Sequence, residues 1–219
     1  GVAHCAAAAR ACGATLIHFS TDYVFDGNLS RPYTEEDTPH PRSVYGESKL
    51  AGEKALAGEW KKHYIFRVAW LYGLHGKNFV KTITRLGIDP GARDTPLRVV
   101  DDQIGTPTWT SEVCRQVCAV IDAAPPFGLY HCTGEGACSW FEFTRYIFKV
   151  LGISRPVEPC TTEAFARPAP RPKNAVLENR RLKETGIHCM RHWQKAFDEF
   201  AAAFSTQTDH APEAKDRTP

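Results

Sequence analysis

With 219 residues, 42% hydrophobic and 24% charged, the chain has the balance of an ordinary globular protein, long enough for one domain of moderate size or for a domain and a small lobe. A formal net charge of +2 gives no electrostatic ground for a nucleic-acid or anionic-membrane partner. No apolar run approaches the roughly 20 residues that cross a bilayer, which argues against a helical span in this sequence.

The sequence begins at Gly1 inside an Ala-rich stretch, and its single methionine is Met190. No charged segment followed by an apolar one marks a leader peptide, so the sequence reads as part of a longer chain. Cysteines stand at positions 5, 12, 114, 118, 132, 138, 160 and 189, with no CxxC pair and no HxH or HExxH partner. No metal site is expected from this spacing. Cys114 and Cys118 are one helical turn apart and are expected to be small buried residues rather than ligands. Reduced thiols fit a cytoplasmic protein.

In chain order, residues 2–12 have helical composition and Gly13 ends them. ATLIHFS is an apolar run of strand length, expected to be buried on both faces of a parallel sheet. DGNLSRPYTEEDTPHPRS is rich in Gly, Pro, Asp and Asn and is expected to be a long irregular loop. A helix follows from about Val44 to Ala57, then the strand YIFRVAW. NFVKTITRLG is helical, LRVV a short strand and DDQIGTPT a loop. TSEVCRQVCAVIDAA is a helix, GLYHCTG a short strand, and SWFEFTRYIFKVLG an amphipathic helix with Phe143, Ile147 and Leu151 on one face. RRLKETGI and RHWQKAFDEFAAAF close the pattern as helices. The polar stretch 205–219 is expected to be a disordered tail. Alternating helix and strand predicts an α/β doubly wound parallel sheet.

The chemistry centres on VYGESKLAGEK. Tyr45 and Lys49, four residues apart on a helix, project from the same face. A phenol near pKa 10 is a poor proton donor or acceptor at neutral pH, and an ammonium one turn away favours the phenolate. Alone, Y-x-x-x-K is common on surface helices. Its context is more informative. ATLIHFS ends in Thr21, Asp22 and Tyr23, at the carboxyl end of a strand, where open α/β sheets bind ligands. The next strand ends in Trp70-Leu71-Tyr72-Gly73, again at a carboxyl edge.

STDYVFDG, YGESKLAGE, RVAWLYG, VVDDQIGTPT, GLYHCTGEGACSWFEF and RPKNAVLEN, in that order, resemble the dTDP-4-dehydrorhamnose reductases, a branch of the extended short-chain dehydrogenase/reductases. The resemblance runs from about residue 1 to residue 204. It implies the C-terminal part of a Rossmann-type sheet, residues 1–86 and 101–134, with a substrate lobe from 87–100 and 135–204. It also implies a catalytic triad of Thr21, Tyr45 and Lys49. Tyr45 and Lys49 would meet the cofactor, NADPH or NADH, while Thr21, Asp22, Tyr23 and Trp70 would contact the substrate, Trp70 on the deoxysugar ring. The implied reaction is reduction of a C4 ketone of a dTDP-linked deoxysugar. A small-molecule sugar nucleotide is the implied partner, with a homodimer as an allowed assembly and neither nucleic acid nor membrane. The Gly-rich turn that holds the cofactor pyrophosphate in that family has no counterpart in these 219 residues, so the chain alone is expected to be inactive.

Other residues leave two readings open. Asp101, Asp102 and Gln103 either touch substrate or turn the chain. Thr106-Pro107-Thr108 is expected to cap the following helix. Arg167, Arg171 and Lys173 either bind a diphosphate or form a solvated basic loop. Trp140, Phe141 and Phe143 are expected in the core of the lobe. A competing reading is a non-catalytic regulatory relative of the same fold, like the regulatory subunits of methionine adenosyltransferase; retention of Thr21, Tyr45, Lys49 and Trp70 weighs against it. Another extended short-chain enzyme, an epimerase or dehydratase of nucleotide sugars, is weighed against by STDYVFDG with DDQIGTPT.

Overall fold

A computed structural model describes residues 1–165 and 171–209. In chain order the elements are α1 (Val2–Cys12), β1 (Leu16–Thr21), α2 (Val44–Glu59), β2 (His63–Val68), β3 (Leu71–Tyr72), α3 (Phe79–Gly87), β4 (Leu97–Val100), β5 (Ile104–Gly105), β6 (Thr108–Trp109), α4 (Thr110–Ala123), β7 (Gly128–His131), β8 (Cys138–Ser139), α5 (Trp140–Leu151), β9 (Val157–Cys160), α6 (Arg180–Glu184) and α7 (Trp193–Asp209). No described helix is long and apolar enough to cross a membrane.

The main sheet is parallel in the order β1-β2-β7, with Phe19 opposite Phe66 and Phe66 opposite Tyr130. All six residues of β2 are buried. Side chains alternate across a strand, so β2 feeds two cores. Ile65 packs with Ala6 of α1 and Leu56 of α2. Tyr64, Phe66 and Val68 pack with Val113 and Val120 of α4 and Leu182 of α6. Helices therefore cover both faces, as the alternation of helix and strand predicts. Burying Phe66 fully is worth roughly 1.5–3 kcal/mol. Arg67 shares the Ile65 face and is buried too; its Nε and Nη2 donate to the Glu53 carboxylate of α2 at 2.9 and 2.7 Å, and its guanidinium lies 4.9 Å from the Phe25 ring. That pair clips α2 to the middle strand.

β1 departs from expectation. It pairs only with β2 among the described residues, and Phe19 is 45% exposed, so burial on both faces holds for β2 and not for β1. A second core joins Val80 and Ile83 of α3 to Val99, Phe143, Ile147, Phe197 and Phe200. Thus α3 packs its apolar side against α5. β4 pairs in parallel with β9, a strand that VEPC does not announce because Glu158 is exposed and Pro159 breaks any alternation.

Three further expectations are corrected. The helix α7 continues to Asp209, past the start of the polar stretch at 205, because its apolar face at Phe197, Phe200 and Ala201 is held in the second core; residues 210–219 lie outside the described residues. The N-cap of α4 is Trp109 with no side-chain cap. Thr106 Oγ1 instead donates to Gly136 O at 2.7 Å, and Thr108 Oγ1 accepts from the Gly134 amide at 3.1 Å, so these hydroxyls tie β6 to the 134–136 turn. Cys114 and Cys118 are exposed rather than buried, since the buried face of α4 carries Val113, Gln116 and Val120.

Candidate active site

The site begins where β1 ends. Thr21 is buried; its Oγ1 donates to Asp22 Oδ1 at 2.9 Å and accepts from the Tyr23 amide at 3.2 Å. That second bond turns the chain sharply into a 3-10 turn over Asp22–Val24. Asp22 is buried with it, and Oδ2 has no protein partner. Burial pushes its carboxyl up to about 7, against the hydrogen bonds from Thr21 and the backbone that pull it down. Burial also raises the Tyr23 phenol, helped by the neighbouring Asp22.

The next component arrives on α2. Ser43 caps this helix, accepting from the Gly46 amide at 3.1 Å. Gly46 faces the 22–24 turn so closely that a Cβ there would lie 2.2 Å from Tyr23 O, a distance no side chain tolerates. The missing side chain lets the helix start sit on the turn. It places the Tyr45 ring edge-on to Tyr23, with centroids 5.6 Å apart and planes at 79°. Tyr45 is 54% exposed. One turn on, Lys49 Nζ donates to Phe19 O at 2.6 Å, which anchors the ammonium to the end of β1. Another turn on stands Glu53, paired with Arg67. Thr21, Asp22, Tyr23, Tyr45 and Lys49 are thus gathered where β1 ends and α2 begins.

A cleft of about 970 Å³ opens beside them, lined by Asp22, Tyr23 and Trp70 and, farther along, by Gln103, Arg171 and apolar residues of α3 and β4. Trp70 sits at φ 45°, a left-handed conformation that a non-glycine side chain adopts only under constraint. Its carbonyl accepts from the Thr108 amide at 3.1 Å. Trp140 belongs here as well: partly buried against the lobe core as expected, it also forms part of the cleft wall, and its ring is stacked on Trp70. Phe143 is core as expected, and Phe141 is partly buried against it.

The open alternatives separate. Asp101 accepts from Ser139 Oγ at 2.5 Å, and Asp102 accepts from the Thr162 amide and hydroxyl at 2.9 and 2.7 Å. Both carboxylates shape the loop. Gln103 lines the cleft while donating to Thr162 Oγ1 at 2.9 Å. Arg171 lines the cleft, Lys173 is exposed, and Arg167 lies outside the described residues. No group of three or more His, Cys, Asp or Glu among the described residues is arranged to hold a metal.

Comparison with known proteins settles the relationship. A family model described as RmlD substrate binding domain matches residues 1–206. The chain belongs to the RmlD substrate binding domain family. Among relatives in that family, a dTDP-4-dehydrorhamnose reductase of Streptomyces griseus is 44% identical over 205 residues, covering 91% of this chain and 66% of that protein. The crystal structure of a dTDP-4-dehydrorhamnose reductase from Clostridium acetobutylicum superposes with a TM-score of 0.88 at 45% identity, over 93% of this chain and 71% of that one. One from Bacillus anthracis, solved in complex with NADP, superposes with a TM-score of 0.87 at 37% identity, over 92% and 70%. This RmlD-family chain thus spans about two thirds of the length of the relatives it matches. The architecture is the Rossmann-type doubly wound sheet of that family.

Proposed function

We propose that this protein reduces the C4 ketone of dTDP-4-dehydro-L-rhamnose to dTDP-L-rhamnose, using NADPH or NADH. The observation that carries the reading is the edge-on contact of Tyr45 with Tyr23, which sets an exposed phenol on a lysine-bearing helix against a residue that lines a cleft of about 970 Å³. Lys49 keeps donor capacity beyond its bond to Phe19, and with Tyr45 it forms a donor set that fits a nicotinamide ribose. When bound, the reduced nicotinamide supplies hydride to the sugar carbon. Tyr45 gives its proton to the developing C4 alkoxide, and Lys49 favours the phenolate left behind. Thr21 donates to the same oxygen by turning its hydroxyl away from Asp22. The unpartnered Asp22 Oδ2 and the Tyr23 hydroxyl meet the sugar, and Trp70 packs on its ring.

With this reading goes a division of labour: residues 1–86 and 101–134 carry the cofactor side, and 87–100 and 135–204 carry the sugar-nucleotide side. Eight free thiols support a reducing compartment, the cytoplasm. The test is consumption of NADPH or NADH by the full-length protein when the ketosugar nucleotide is generated in situ. Oxidation that depends on the sugar nucleotide is expected. A folded protein that turns over neither cofactor would exclude the reading.

A further inference from the structure

Trp70 is the aromatic on which the proposed function seats the deoxysugar, so what lies on its two faces decides whether a sugar can bind. One face rests on Gly105. A Cβ at Gly105 would stand 2.3 Å from Trp70 Cε2 and 2.6 Å from both Cζ2 and Nε1. The position lies nearer Cε2 than Nε1 or Cζ2; an approach in the ring plane from that side would meet those two atoms first, so the glycine stands above the indole plane, not beside its edge. The other face is covered by Trp140, with ring centroids 3.4 Å apart and planes within 6°. Both faces of Trp70 are therefore in van der Waals contact with protein, and neither has room for a pyranose.

We infer that Trp140 is a displaceable cover of the sugar subsite: its indole occupies the face of Trp70 that receives the deoxysugar, and binding of the sugar nucleotide moves it aside. The inference rests on the sugar-facing role proposed for Trp70. How each ring is held decides which one moves. Gly105 belongs to β5, paired with β8 at Cys138, so the backbone beneath Trp70 cannot retreat. The Trp70 indole lies directly on that backbone, and its own main chain is held at φ 45° with the Thr108 amide on its carbonyl. Trp140 is half-buried, and beyond Trp70 its ring meets Phe79 at 4.4 Å with the planes tilted by 45° at the border of the lobe core, with one side on the cleft. Its backbone is secured by the Ser139–Glu142 capping box and by Ser139 on Asp101, so rotation about the side-chain bonds suffices and α5 stays in place.

Displacement has a consequence for selectivity. A free deoxysugar must compete with an intramolecular indole, whereas a sugar nucleotide brings contacts along the cleft that offset the loss. Aromatic pairs are worth on the order of two- to tenfold in an equilibrium constant when offset or edge-to-face, which sets the upper bound for this face-to-face pair. Removing the cover should therefore tighten sugar binding, the opposite of what removing a sugar contact does.

The experiment measures dissociation constants of dTDP and dTDP-L-rhamnose for wild type, Trp140→Ala, Trp140→Phe and Trp70→Ala. Trp140→Ala is expected to bind dTDP-L-rhamnose about two- to tenfold more tightly with dTDP unchanged. Trp140→Phe, which keeps a ring against Phe79 and guards against a folding defect, should shift the same way by less. Trp70→Ala should weaken dTDP-L-rhamnose only. In wild type, the exciton circular-dichroism signal of the paired indoles should fall on saturation with dTDP-L-rhamnose. Weaker or unchanged sugar-nucleotide binding by both Trp140 variants, equal shifts for the two ligands, or a persistent exciton signal at saturation would overturn the cover. A wild-type protein that binds neither ligand would remove the functional reading itself, and the cover with it.

Discussion

Asp22 is where single-residue physics bears most directly on the site. A carboxylate enclosed with one oxygen unpartnered is penalised in its charged form, and its pKa rises from 3.8 to about 7. The folded protein then holds a proton that the unfolded chain releases between those values. The stability associated with Asp22 is fully present below 3.8 and lost as pH rises through about 7. Asp22→Asn should flatten that decline, read as the urea midpoint at fixed pH steps across the window; an unchanged slope would mean that the carboxyl is not what titrates. Thr21, Asp22, Tyr23, Tyr45, Lys49 and Trp70 are all legible in the sequence as residue types at strand ends and on one helix face. Trp140 is not. A tryptophan at the start of an amphipathic helix reads as core, and its second contact, the stack on Trp70 in the cleft wall, shows only in the fold. The faint signal available was that Trp140 flanks, rather than lies on, the Phe143–Ile147–Leu151 stripe.

Among the elements, α2 carries the argument. Its packing on the 22–24 turn depends on Gly46, a residue that costs a helix interior about 0.5–1 kcal/mol relative to alanine. The sequence shows this glycine without showing what approaches it. Gly46→Ala drives a Cβ to within 2.2 Å of Tyr23 O, so the start of α2 must lift off the turn. Overpacking of this kind costs about 1–3 kcal/mol. Because it also shifts Tyr45, turnover should fall by about 10²-fold. A thermal melt and a steady-state assay of the same variant check both, and wild-type kcat with an unchanged Tm would refute the close-approach account. The helices and the long strands were readable from periodicity. The two-residue strands β3, β5, β6 and β8 were not, because pairing defines them and no pattern fits in two residues. β9 escaped for a related reason, since β4 recruits a segment with little β signature of its own.

At the scale of the molecule, the middle of the sheet hides charge that composition cannot locate. Arg67 stands opposite both Ser20 and His131, and all three are buried. His131 is held down at about 3 by burial and then by the neighbouring Arg67 cation. It is neutral when folded, whereas the unfolded imidazole gains its proton near 6.5, so stability present above 6.5 is lost as pH falls toward about 3. His131→Gln, which can still donate to Glu178 O, should flatten that acid limb of the stability profile in chemical denaturation. A variant as acid-sensitive as wild type would place the titration elsewhere. The same sheet brings the end of β1 to the cleft with the start of α2 packed beside it, and the proposed reaction turns on a proton leaving Tyr45. The most direct measurement is kcat of full-length Tyr45→Phe with dTDP-4-dehydro-L-rhamnose and NADPH, beside the dissociation constant for dTDP-L-rhamnose. kcat is expected to fall by about 10²–10⁴-fold with affinity within a factor of about two, whereas wild-type kcat in the phenylalanine variant would rule out Tyr45 as the proton donor.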